Sequence, residues 1–146
     1  MKNPQETVIE LFVSTDEQQW DQVKAVFDSK VLLDYSSMTG SPATSMTPDE
    51  IVDAWKGLLP GFDHTHHQLG NFQMTLSNNQ AQVFCYGTAS HYLENESGKL
   101  WWVVGSYNFD LVKEDETWKI AGMKFNFKYQ DGNTQLPQLA MKNLKK

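Results

Sequence analysis

The chain has 146 residues, 40% of them hydrophobic and 21% charged, with eight Phe, five Trp and five Tyr. That length sets it at one domain able to bury roughly 70% of its unfolded surface, and the composition excludes disordered, collagen-like and coiled-coil chains. The formal charge is −6 and all twelve basic residues are lysine. With no arginine and no basic stripe, bidentate phosphate clamping and counter-ion release are both missing, so nucleic acid is not an expected partner. No apolar run approaches the ~20 residues of a membrane span, and the opening MKNPQETVIE has no apolar signal-peptide core. The single Cys85 permits no internal disulfide. A cytoplasmic protein with no membrane partner is the expectation.

Residues 4–14 read as a first helix, with Pro4 in its first turn and Val8, Ile9, Leu11 and Phe12 as its apolar set. A break at Ser14, Thr15 and Asp16 leads to a second helix, where Trp20, Val23, Val26 and Phe27 share one face. Val31–Tyr35 is short and β-like, hence a strand, and a loop rich in Ser, Thr, Gly and Pro runs from Ser36 to Met46. The third helix has the clearest start: Thr47 caps it, Pro48 takes the first helical position and Glu50 closes a capping box. Ile51, Val52, Trp55, Leu58 and Leu59 line its apolar face, and Pro60-Gly61 stops it.

From there the period changes from 3.6 to 2. Four long strands are predicted at about 65–77, 81–93, 100–113 and 117–129, separated by Asn78-Asn79, Asn95–Gly98 and Glu114–Glu116. Hairpins this short imply antiparallel neighbours. Residues 1–130 form one domain, and 131–146 a C-terminal tail in which Leu136, Leu139, Ala140 and Leu144 suggest a short helix. The predicted class is α+β: three N-terminal helices covering one face of a curved, mainly antiparallel sheet, with a cavity between them suited to a small ligand.

The stretch from LLDYSSMTG through HTHHQLGN, then ASHYL, WWVVGSYNFDL and WKIAGMKF, resembles the SnoaL-like branch of the nuclear-transport-factor-2-like superfamily, from about residue 5 to 130. Its polar positions are similar to those of scytalone dehydratases. The resemblance implies a cone-shaped α+β half-barrel, often a homodimer through the convex sheet face, and a fold that serves dehydratases, isomerases, cyclases and non-catalytic binders alike.

It also implies roles. His67 matches the family's catalytic histidine and Asp16 its partner carboxylate, although Asp at such a junction is as readily a helix cap. His91 matches a second pocket histidine, with a structural hydrogen bond as the other reading of a buried imidazole. Tyr35 matches a substrate-orienting tyrosine, or packs with a wet hydroxyl. Ser106 and Asn108 match a pocket serine and asparagine, unless their strand face is solvent and the Tyr107, Phe109 and Leu111 face is core. Trp55, Phe72 and Trp102 suggest an apolar, cyclic ligand and would equally suit a core. A departure is Thr15, where scytalone dehydratases carry a tyrosine.

His64-x-His66-His67 raises a metal, but strand alternation splits the cluster between two faces and no third ligand completes a tetrahedral set. Neither a metal nor a cofactor is expected. No phosphate loop or nucleotide fingerprint is present. The implied activity is a dehydratase-type lyase: a His/Asp pair removes a proton beside a carbonyl and water leaves a cyclic hydroxyketone. The alternatives are a binder without catalysis, or an isomerase or polyketide cyclase of the same fold.

Overall fold

The computed structural model describes residues 2–145. Helix α1 (Pro4–Asp16) starts on a capping box of Asn3 and Glu6, and α2 (Trp20–Ala25) follows. Strand β1 (Phe27–Asp34) leads into one helical turn, α3 (Ser36–Thr39), and a short strand β2 (Thr44–Met46). Helix α4 (Pro48–Lys56) has the Thr47/Glu50 capping box read from the sequence, and a 3-10 turn at Leu59–Gly61 ends that excursion. The long strands are β3 (His64–Ser77), β4 (Gln80–Tyr92), β5 (Leu100–Glu114) and β6 (Thr117–Gly132), and α5 (Leu136–Leu144) closes the chain.

The six strands form one sheet in the order β2-β1-β6-β5-β4-β3; only β1 and β6 run parallel. The α+β half-barrel is therefore the architecture found, with the single turn α3 added to the three N-terminal helices expected, and α5 where a short C-terminal helix was suggested. Local boundaries differ: α1 runs on through Ser14, Thr15 and Asp16, where a break was expected. Phe27 opens β1 instead of completing the second helix, because it pairs with Ile120 across the parallel β1–β6 ladder. The polar Asp28-Ser29-Lys30 that follow lie in an irregular stretch of that ladder, so no apolar alternation announces the strand. The loop after Tyr35 is also partly ordered: β2 pairs antiparallel with β1 at the sheet edge.

The core lies between α1, α2, α4 and the concave sheet face. It includes Val8, Leu11, Val23, Ile51 and Val52 from the helices and Val83, Phe109, Leu111 and Ile120 from the strands. The strict alternation of buried residues Ala81, Val83, Cys85, Ala89 and His91 along β4 marks which face is inward. Helix α5 seats the fully buried Leu136 and Ala140, and Asn143 Nδ2 donates to the Gly61 carbonyl at 2.8 Å. It thereby braces the 3-10 turn from outside. Leu136→Ala is expected to cost about 2–5 kcal/mol, read as a lower midpoint in urea, with hydrogen-exchange protection lost first in α5.

Candidate active site

Strand register lays the inward side chains of the sheet out in rows. Thr65, His91 and Trp101 are cross-strand partners; so are His67, Ala89 and Val103; so are Leu69, Gly87 and Gly105; and so are Cys85, Tyr107 and Phe125. Over these rows α1 places Phe12 and Thr15, the turn α3 places Met38, and α4 with the segment after it places Trp55, Leu58 and Leu59. Between the two layers is a cavity of about 200 Å³. Its polar wall is confined to Thr15, Tyr35, His67, His91 and Tyr107; no lysine and no carboxylate lines it.

The floor depends on a cross-strand glycine pair. A Cβ at Gly87 would lie 2.4 Å from the Tyr107 ring, and one at Gly105 would lie 2.2 Å from the Asn126 carbonyl oxygen and 2.7 Å from the Phe125 ring. Both rings therefore lie across the sheet where any other residue would lift them.

Asp16, the last residue of α1, reaches β3. Its Oδ2 accepts the His67 backbone N–H at 2.8 Å, and its Oδ1 accepts the Thr65 hydroxyl at 3.0 Å and meets His67 Nδ1 at 2.7 Å. Burial opposes ionisation of Asp16, but the hydrogen bonds and charge of His67, with the Thr65 hydroxyl, outweigh it and hold the carboxyl below its usual range. An ionised carboxylate only accepts, so the proton on this edge belongs to Nδ1 and the Nε2 lone pair of His67 is left for the cavity. Phe12 packs on the imidazole at 4.9 Å between ring centroids.

His91 is 5% exposed, stacked on Trp101 at 4.3 Å and edge-on to His67 at 6.3 Å. Its Nδ1 lies 3.0 Å from the Trp101 carbonyl, an acceptor, so Nδ1 donates and Nε2 again carries the lone pair. Burial pushes its pKa down to about 4, against the Trp101 hydrogen bond, so it is neutral at pH 7. Burial likewise pushes the Tyr35 phenol above its ordinary range and keeps it a donor. Cys85, beneath the floor, has its thiol raised to about 12 by burial and is no nucleophile.

Of the residues singled out in the sequence, the structure brings Asp16, His67, His91, Tyr35 and Trp55 together at this cavity, Asp16 standing behind His67. It does not bring in Ser106, Asn108, Trp102 or Phe72. On β5 the inward set is Trp101, Val103, Tyr107 and Phe109, so the even-numbered residues face outward. There Asn126 Nδ2 bonds both Ser106 Oγ (3.2 Å) and Asn108 Oδ1 (2.7 Å), and Trp102 is 46% exposed. Phe72 follows Asn71, whose φ of 53° falls where the β3–β4 register shifts, and it packs on the core away from the cavity. Asp16 caps no helix, since Gln19 precedes α2. His64 and His66 are exposed on the outer face, apart from His67. Among the described residues no group of three or more His, Cys, Asp or Glu is arranged to hold a metal.

Sequence reasoning missed Thr65, Trp101 and Tyr107. The Phe109-Asp110-Leu111 alternation could have placed Tyr107 inward, but nothing local marks Thr65, whose partner is 49 residues away. A wider depression of about 370 Å³ beside α1 and α2, rimmed by Lys2, Glu10, Glu116 and Lys119, contains none of this chemistry.

A family model of SnoaL-like domains matches residues 5–124. Among solved structures, the Kfla4162 protein of Kribbella flavida superposes with a TM-score of 0.84 at 23% identity, covering 92% of each chain. A hexachlorocyclohexane dehydrochlorinase (LinA Type2) gives 0.74 at 13% identity, over 88% of this chain and 84% of its own. A candidate scytalone dehydratase from Novosphingobium aromaticivorans gives 0.71 at 17%, over 87% and 83%. No curated protein matches in sequence. At these identities the likeness establishes the fold, and the chemistry is argued from the residues.

The neutral buried His91 has a consequence for stability. The unfolded chain takes up a proton on this residue near the ordinary imidazole value of 6.5, whereas the folded protein resists until about pH 4. Stability is full above pH 6.5, falls as the pH drops, and is lost to the extent of roughly 3 kcal/mol below pH 4. Asp16, with its lowered pKa, adds loss only at more acid pH, below the ordinary carboxylate value of 3.8. Urea midpoints measured between pH 7 and pH 4 are expected to show that slope, and His91→Phe is expected to flatten it.

Proposed function

We propose that this chain, which belongs to the SnoaL-like domain family, is an acid-base lyase that dehydrates a neutral, cyclic hydroxyketone without a bound cofactor. The observation that supports this reading most is the Asp16–His67 pair: its Nδ1 edge is committed to a carboxylate and its Nε2 edge faces an apolar cavity. That is the arrangement a general base needs, one lone pair on offer in one tautomer. The lining has no cation to hold an anionic substrate, which favours a neutral one. The dehydrochlorinase and candidate dehydratase among the structural neighbours are named for eliminations or dehydrations, and they are in keeping with this reading.

In the proposed reaction His67 Nε2 takes a proton from the carbon beside the carbonyl. The C–H electron pair moves into the C=C bond of an enolate, whose oxygen accepts a hydrogen bond from the Tyr35 phenol. Asp16 stabilises the imidazolium and fixes its orientation. The enolate then collapses, the C–O bond to the β-hydroxyl breaks, and the imidazolium returns its proton to the departing oxygen. Water leaves, an enone remains, and His67 is neutral again. His91, with its bare Nε2, accepts a hydrogen bond from the hydroxyl before it departs.

Deuterium incorporation from heavy water into a panel of cyclic hydroxyketones, followed by NMR, tests the proton abstraction without knowledge of the final product. His67→Ala is expected to lower exchange by about 100-fold or more, and Asp16→Asn by about 100-fold, with both variants folded. Wild-type exchange in a folded His67→Ala variant would overturn the assignment and leave a binding protein. Released water together with an enone chromophore separates dehydration from isomerisation or cyclisation.

The outer sheet face supports a homodimer: Tyr86, Trp102 and Tyr129 stand 45%, 46% and 57% exposed on adjacent strands. Light scattering is expected to give twice the chain mass, and Trp102→Glu to return a monomer; a monomeric wild type overturns this. Among the described residues no helix is long and apolar enough to cross a membrane.

A further inference from the structure

Tyr107 has no place in the scheme above, yet like His91 it is only 5% exposed and is among the most deeply buried polar residues of the cavity. Its ring is held on three sides: Phe12 at 5.0 Å, Phe125 at 4.9 Å and Phe109 at 5.6 Å between centroids. Gly87 beneath it leaves room for the ring, which a Cβ there would meet at 2.4 Å. The hydroxyl forms no hydrogen bond with any described residue. Among the described residues, however, no sealed side-chain nitrogen or oxygen lacks a partner. The Tyr107 oxygen is therefore in reach of the cavity that its ring lines. Tyr35, on the other side of Phe125 at 5.9 Å, is in the same position: a phenol in the cavity wall with no protein acceptor.

Leaving a hydroxyl that opens only onto the cavity without an acceptor there is unfavourable, and a ring packed by three aromatics cannot turn it elsewhere. A phenylalanine would fill the same space without that cost. The acceptors that could answer these donors are lacking in the wall itself, since His67 and His91 offer their lone pairs from different rows of the sheet.

Resting on the reading that this cavity is the functional site, we propose that Tyr107 is a specificity-determining residue, a second phenol donor that with Tyr35 selects a single-ring ligand bearing carbonyl or hydroxyl oxygen over its hydrocarbon counterpart. The volume sets the size: about 200 Å³ is below the roughly 300–1,000 Å³ of pockets for drug-sized molecules, so a ligand of one ring suits it better than a drug-sized one. The apolar wall binds the ring of either kind of ligand. Discrimination comes from the phenols, which stay unpaired when the oxygen is absent.

The test is a matched pair of probes, cyclohexanone and methylenecyclohexane, which differ in C=O against C=CH₂. Binding to the full chain is followed by the fluorescence of Trp55 and Trp101, both in the wall. Wild type is expected to prefer the ketone. Tyr107→Phe is expected to weaken ketone binding by about 3- to 10-fold, leave the hydrocarbon within about twofold, and keep or raise the melting temperature, since the deleted hydroxyl has no protein partner. Gly87→Ala, which displaces the ring, is expected to weaken both probes. Equal binding of the two probes to wild type, no binding of either, or an equal loss of both in Tyr107→Phe would overturn the proposal. Ketone preference retained in His67→Ala is expected, and if exchange also persists there, the lyase reading fails while this one stands.

Discussion

The Asp16 carboxylate is the joint on which the site depends. It stands at the last residue of α1 and takes three hydrogen bonds from two residues of β3. A carboxylate largely removed from water needs such partners, and here they are a backbone amide, a hydroxyl and the imidazole. The same three contacts fix the helix to the sheet, set the tautomer of His67 and turn its free nitrogen toward the cavity. Positioning and electrostatics are thus one interaction. Thr65 shares the oxygen that meets Nδ1, so any change in its hydroxyl is transmitted to the imidazole through a single atom.

The second constraint is steric. The cavity exists because the sheet carries a glycine pair, Gly87 opposite Gly105, at the place where two aromatic rings must lie flat. Side chains in the usual inward positions would fill that space with aliphatic packing, and the half-barrel would be solid there. Further along the sheet it is core: Val83, Phe109, Leu111 and Ile120 are fully buried. Cavity and core are therefore successive stretches of one concave surface, separated by what each row presents.

Much of this was legible in the sequence for physical reasons. The α4 cap was readable because Thr47, Pro48 and Glu50 act locally, within one turn. The inward face of β4 was readable because its alternation is unbroken. The split of the histidine cluster followed from the two-residue period. The Asp16–His67 contact did not follow from any local rule; it came from resemblance, since 51 residues separate the pair. On β5 the pattern misled, because Trp101-Trp102-Val103-Val104 is apolar on both faces and the buried Ser106 looks like a pocket residue. It is buried under the Asn126 amide on the outside instead. The β1 start was hidden for the opposite reason: three polar residues cross an irregular ladder held by backbone bonds, and backbone bonds leave no side-chain signature.

The charge of the lining limits what the cavity can do. Its one ionised group, Asp16, sits behind His67 and outside the wall, while His91 and the two phenols are neutral at pH 7. An oxyanion formed in this space has no ammonium or guanidinium to meet it, so its charge must be balanced by the imidazolium that formed it and spread over neutral donors. Such a site favours a short-lived charge created and discharged in place, with the base keeping hold of its proton until the leaving group needs it. Elimination of a β-hydroxyl satisfies that condition because the proton and the leaving oxygen come from adjacent carbons, within reach of one nitrogen. A reaction that had to carry the proton away to bulk water would break the only ion pair the cavity provides.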